Sequence, residues 1–266
     1  MHLYRTTVAT VAFTLAVTHG LDAQRAPKRR RAPAARIADS ARIAIESATL
    51  AGDLTALATV RTTLDKSLKT GPADPLILHY LGYALYRMAN LRDGIKETPA
   101  LIADLAASRQ SLQRSLQRRP MAESCVLLAT VEQRLAGLDP AHAKSLDADA
   151  TKLLERGIAL GPDNPRVYLL AAISALYTPT AAGGGDAAAE QLLAHAISLF
   201  AKDHPAPPAP AWGRSESYAW LGQVYDRTGR RRKALAAYNH ALKLDPEFTW
   251  VRDVLRPAVL KNVTNP

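Results

Sequence analysis

The 266 residues contain a single cysteine, Cys125. One thiol can neither close an internal disulfide nor build a cysteine zinc site. Aromatic side chains are also scarce, at 6%, which argues against an all-β sandwich, whose strands want aromatic and β-branched residues. Signatures of chemistry are missing too. No serine stands in a G-x-S-x-G elbow, and no histidine pair has the H-E-x-x-H spacing of a zinc hydrolase. The one glycine run, Gly183-Gly184-Gly185, is followed by Asp186 and not by the Gly-Lys-Ser/Thr of a phosphate loop, so it reads as a turn. No catalytic residue, metal or cofactor is expected.

What the chain does have is alanine, leucine and positive charge. It carries 34 Lys+Arg against 24 Asp+Glu, a formal net charge of +10. Residues 1–36 hold seven of the basic residues and one acid, so the remaining body is nearly balanced. The charge is therefore not a nucleic-acid footprint, and no nucleic-acid partner is expected. Met1–Gly20 reads as a secretory signal. Arg5 lies in the n-region, Thr6–Thr18 forms an apolar h-region, and Leu21-Asp22-Ala23 makes a cleavage box. That run is shorter than the roughly 20 apolar residues of a membrane span, and no lipid-anchor cysteine follows it. The expectation is a signal over 1–23, a basic Pro/Arg-rich linker over 24–36, and a mature protein that is periplasmic or secreted, with no transmembrane helix after cleavage. The basic residues just behind the h-region leave an uncleaved anchor or a transit peptide as alternatives. Residues 25–36 could touch an anionic surface weakly.

The strongest periodic signal is Ser215–Pro246. Tyr218, Leu221, Gly222 and Tyr225 form one helical stripe ending at Gly229; Ala234, Leu235, Tyr238, Ala241 and Leu242 form a second, ending at Asp245-Pro246. The small residues let two antiparallel helices approach closely. The pattern resembles the 34-residue tetratricopeptide repeat (TPR), whose signature falls on Tyr218, Leu221, Gly222, Tyr225, Gly229, Ala234, Tyr238, Ala241 and Pro246. One helix pair cannot bury its own faces, and weaker copies lie upstream. Repeat ends at 72, 120, 162, 201 and 246 are 39 to 48 residues apart, so each unit is enlarged. The extra length falls around Leu91–Pro99, Leu138–Leu146, Thr178–Gly185 and the proline-rich His204–Gly213. Helix starts are expected at Asp39 or Ser40, Asp74, Asp186 and Ser215. The predicted fold is all-α: a right-handed α-solenoid over residues 37–262, of about five TPR-like helix pairs with a terminal capping helix over Thr249–Asn262.

Residues 160–256 also resemble exported bacterial TPR proteins that combine the triple-glycine turn, a Trp-Gly and a Trp-Val-Arg-Asp-Val-Leu cap. That resemblance implies an envelope protein without known catalytic residues. In TPR arrays the first helix of each pair, helix A, lines a concave groove. Carrying those positions over gives His79, Tyr83, Tyr86, Arg87, Arg134, Ile173, Leu176, Tyr177, Gln223 and Asp226 as candidate groove residues. Tyrosines with a few arginines suit an extended peptide, although Tyr83, Tyr86 and Tyr177 could equally pack between helices. Arg230, Arg231, Arg232 and Lys233 form a basic run in the turn of the best repeat, either a docking patch or a solvated turn. The function expected is a non-catalytic scaffold for a protein or peptide partner in the bacterial envelope. The alternative is a small-ligand-binding accessory subunit of a TRAP-type solute transporter.

Overall fold

The computed structural model describes residues 33–264, so the expected signal and most of the expected linker lie outside the described residues. Among the described residues there is no strand. The helices are α1 (Pro33–Ala51), α2 (Leu54–Thr70), α3 (Pro75–Gly94), α4 (Thr98–Arg118), α5 (Ala122–Leu138), α6 (Ala143–Leu160), α7 (Pro165–Tyr177), α8 (Asp186–Phe200), α9 (Arg214–Arg227) and α10 (Arg231–Leu244). A π-helical stretch, Trp250–Leu255, then runs into α11 (Arg256–Thr264). Successive helices pack as five hairpins, α1 with α2 through α9 with α10. This is the expected solenoid of five pairs and a terminal cap. Each expected repeat end falls within two residues of the end of a second, or B, helix.

Local chemistry sets the boundaries. Asp74 accepts from the backbone N–H of Leu76 and Ile77, ahead of Pro75, and caps α3 as expected. Asp53 and Asn164 cap α2 and α7 in the same way, through Ala56 N–H and Arg166 N–H. Three expected starts shift. α1 is already helical at Pro33, the first described residue, so residues 33–36 of the expected linker are helical. Ser215 sits inside the first turn of α9, behind Gly213 as the cap. Asp186 is the first residue of α8, behind Gly185. The triple-glycine segment is a turn, in which Gly185 N–H reaches back to the Ala175 carbonyl at 2.8 Å.

Within the best repeat, helix contact depends on Gly222. A Cβ there would lie 2.3 Å from Cε1 of the buried Tyr238 ring. The glycine makes room for the tyrosine of the opposite helix, as the repeat signature implies. α3 packs on α5 and α5 on α7, whereas the B helices α4, α6 and α8 do not pack on one another to the same extent. The A helices therefore form the inner layer and the B helices the outer one. α3 is buried over almost its whole length, Ile77 through Ala89. The main core runs from Ala38 of α1 through α3, α5 and α7 to Phe200 and Trp212. A second cluster joins Ala219, Ala234, Tyr238 and Ala241 to Phe248, Val251 and Val259 of the cap, with Leu50 of α1 packed against it. The first helix thus meets the last repeat, and Thr249 Oγ1 donates to the Leu50 carbonyl at 3.0 Å.

Candidate functional site

The inner face of α3 carries Tyr80, Tyr83 and Arg87, spaced at helical intervals so that they share one side. The connector between α8 and α9 comes down on that side. Tyr80 donates its hydroxyl to the Pro208 carbonyl at 2.5 Å, and the Tyr83 ring stacks on Trp212 with centroids 5.0 Å apart. Arg87 donates to Glu216 Oε2 at 2.6 Å and to the Tyr83 hydroxyl at 2.7 Å. Its guanidinium lies over the Tyr83 ring, 4.8 Å from the centroid, and 6.0 Å from the centre of Trp212. Arg166 also reaches within 6.0 Å of Trp212, while gripping Asp203 with two hydrogen bonds at 2.7 and 3.2 Å. Trp212 thus lies near two buried arginines, each with its own carboxylate.

α1 adds a third acid. The Glu46 carboxylate is buried, although the residue as a whole is half-buried, and its Oε2 has no hydrogen-bond partner. Desolvation, then the nearby Glu216, push its pKa up to about 7; Arg87 pulls the other way. Burial opposes the charge on Arg87, but Glu216 and Tyr83 outweigh it and hold the guanidinium protonated. Burial raises the Tyr83 phenol well above its ordinary value. Arg87 Nε, Arg166 Nε, Trp212 Nε1, Ser215 Oγ and Thr49 Oγ1 are likewise buried without a partner.

The ten candidate groove residues divide. Tyr83 and Arg87 touch, and Arg87 lies 5.8 Å from the centre of the Tyr86 ring. All three are buried, as are Ile173 and Leu176, so they pack the inner layer instead of facing solvent. His79 is fully buried and points elsewhere, its Nδ1 2.9 Å from Ser124 Oγ. Burial pushes its pKa down to about 4. Arg134, Gln223 and Asp226 are half-buried; Arg134 bonds Asn90 and Asp93. Tyr177 alone of the ten is open, 73% exposed. Glu46, Arg166, Asp203, Trp212 and Glu216 lie outside the expected set, and only the Trp-Gly that ends the proline-rich connector hinted at one of them.

The model of the tetratricopeptide repeat family matches residues 215–248. Solved structures similar in fold include two with TM-scores above 0.5. HusA haemophore from Porphyromonas gingivalis has a TM-score of 0.59 and 22% identity, over 73% of this chain and 94% of that one. TTC0263, a thermophilic TPR protein from Thermus thermophilus, has a TM-score of 0.57 and 20% identity, over 85% of this chain and 99% of that one. The chain is a TPR-containing protein. No curated protein matches it. TPR repeat proteins are generally non-catalytic scaffolds, and the fold suggests protein partners.

In the TPR array the basic run is not one patch. Arg230 grips Glu190 with two hydrogen bonds at 2.7 and 2.9 Å and lies over the Tyr225 ring at 4.6 Å, so it joins two repeats. It holds the Glu190 carboxyl below the usual range. Arg231, Arg232 and Lys233 are exposed on the first turn of α10, with Lys233 5.6 Å from the Tyr225 ring centre. Among the described residues no helix is long and apolar enough to cross a membrane.

Proposed function

We propose that this chain is a non-catalytic TPR scaffold, exported to the bacterial cell envelope, that takes a protein partner on the rim around Tyr177. The observation that carries this reading is Tyr177 itself. It ends α7, an otherwise buried helix, with 73% of its surface exposed. Tyr86, Arg134, Arg227 and Asp93 are its electrostatic neighbours. Exposed tyrosine beside arginine is the composition of interface hot spots. Export rests on the n-region, h-region and Ala23 box of the sequence. The likeness to HusA carries the fold to this chain and not a ligand.

The test replaces Tyr177 with a photocrosslinking residue in source cells, with Lys152 on the outer helix α6 as control. A protein captured from the envelope fraction at 177 and not at 152, on a chain whose N-terminus is Gln24, supports the reading. The same species at both positions, no capture at 177, or an intact Met1 overturns it.

A further inference from the structure

The B helices end on a shared pattern. Residues 64–72, 112–120, 154–162, 193–201 and 238–246 align without gaps, and each stretch has a basic residue or histidine third: Lys66, Arg114, Arg156, His195 and His240. The residue after it is always small, and Ser115, Gly157, Ala196 and Ala241 are buried. The third position therefore turns outward, and all five of its residues are exposed. Residues three and four away share that side of a helix, and around none of the five is any of them acidic. They add Lys69 on α2, Arg118 on α4 and Lys152 on α6. The charge is concentrated on those three helices, because further along the array His195 packs edge-on to Tyr168 and His240 stacks on Tyr218, with centroids 4.3 and 4.0 Å apart. Protein surfaces ordinarily intersperse both signs. Here the acids are engaged elsewhere: Asp104 of α4 lies between Arg92 and Arg61, and Asp65 of α2 pairs with Arg61 at 3.7 Å. The side chains of Lys66, Lys69, Arg114, Arg118 and Arg156 make neither a hydrogen bond nor an ion pair among the described residues.

We infer that the outer faces of α2, α4 and α6 dock this protein on an anionic lipid bilayer. The charge complementarity is of the kind a bilayer reads. Its cations stand on long, unheld stems and are spread over three successive outer helices instead of lining a pocket, and a lipid surface sums such charges without asking for fixed geometry. A carboxylate partner in a protein instead rewards directed, bidentate pairing. Exposed apolar side chains accompany the cations on α6. Leu160, four residues after Arg156 and on its side of the helix, is 45% exposed, and Ile158 is 37% exposed; a basic surface with apolar residues among its cations suits the headgroup region. The same chain carries Arg25 and the run Lys28-Arg29-Arg30-Arg31 ahead of α1, and reversible membrane attachment is built from two such weak signals. The surface lies on the B helices and Tyr177 ends an A helix, so this inference and the Tyr177 reading can each fail alone.

The experiment compares three forms of the mature chain beginning at Gln24: wild type, the surface variant K66Q/R114Q/R156Q, and the charge-matched control K96Q/K144Q/R232Q. All three keep the basic segment before α1, so its contribution cancels. The control residues are exposed and sit at or before the first turns of α4, α6 and α10. Lys144 and Arg156 are twelve residues apart on α6, about 18 Å along the helix, which exceeds the screening length of about 8 Å at physiological salt. Binding is measured by co-sedimentation with vesicles of phosphatidylcholine containing 30 mol% phosphatidylglycerol, roughly the anionic content at which such surfaces attract polybasic segments, and with pure phosphatidylcholine vesicles. Circular dichroism checks that each form is helical. Wild type is expected to bind the anionic vesicles, to ignore the neutral ones, and to be released by added salt. Each surface cation contributes about fivefold, so the surface variant is expected to bind at least about tenfold more weakly and the control within about threefold of wild type. Equal losses in the two variants, an unweakened surface variant, no binding to anionic vesicles, or capture by polyglutamate in place of vesicles overturns the inference.

Discussion

Glu46 makes the stability of the protein depend on pH in a direction opposite to most carboxylates. Its folded pKa is raised from 4.5 to about 7, first by burial and then by Glu216. A group whose folded pKa lies above its unfolded value favours folding fully below the unfolded value. That contribution is lost as pH rises through the folded one. The window for Glu46 therefore opens near 4.5 and closes near 7, and the span corresponds to on the order of 3 kcal/mol. Gln at position 46 is neutral at every pH and resembles the protonated acid. E46Q should match wild type near pH 4.5 and exceed it by about 3 kcal/mol at pH 7.5. The assay is urea unfolding followed by circular dichroism at pH 4.5, 5.5, 6.5 and 7.5, comparing midpoints at equal m-value. Taking the difference between the two proteins at each pH removes the titrating groups that do not interact with Glu46. A difference that stays constant with pH, or E46Q less stable at pH 7.5, refutes the assignment of Glu46 to a desolvated, acid-crowded position.

His79 gives the mirror image, because burial lowers its pKa from 6.5 to about 4. H79Q should remove a stability loss on the order of 3 kcal/mol that wild type shows as pH falls from 6.5 to 4, and parallel wild-type and H79Q curves in the same urea series would refute this. G222A forces a methyl into the Tyr238 ring at 2.3 Å and should cost about 1–3 kcal/mol, with an unchanged melting temperature counting against the close approach. R87A strips the partner from buried Glu216 and should cost about 3–5 kcal/mol. R87A with E216A should recover part of that loss, and strict additivity in the double-mutant cycle would deny the pair. T249A loses the hydroxyl bond to the Leu50 carbonyl, worth about 1 kcal/mol. It should speed unfolding and leave the folding rate nearly unchanged in a chevron, whereas a slower folding limb would place that contact in the nucleus.

Sequence periodicity carried the architecture because each repeat writes its own short-range rule. The Gly222–Tyr238 fit, the Asp74-Pro75 start and the five B-helix ends are all decided within about forty residues, where helical spacing and capping act. The inner face is decided by pairs that lie far apart. Arg87 meets Glu216 across 129 residues, Tyr80 meets Pro208 across 128, and Thr249 meets Leu50 across 199. Nothing local to any of these residues announces the other. Tyr83, Tyr86 and Arg87 lie on a helix A, and all three are buried, because the connector packs against that side of α3. Arg230 failed to be free for a similar reason: Glu190, forty residues back, already holds it.

Both returning segments follow from the enlarged repeats. The His204–Gly213 connector is rich in proline and cannot extend a helix; it packs on α3 and brings Trp212 near Arg87 and Arg166. α1 lies against α2 and α3, and its end touches Thr249 at the start of the cap. A contact spanning 199 residues closes a long loop, whose entropic cost grows only slowly with its length. It closes the array but belongs to no single repeat, and the helix that makes it carries alanines and an unpartnered acid. The contact that closes the array is thus one that no single repeat could specify.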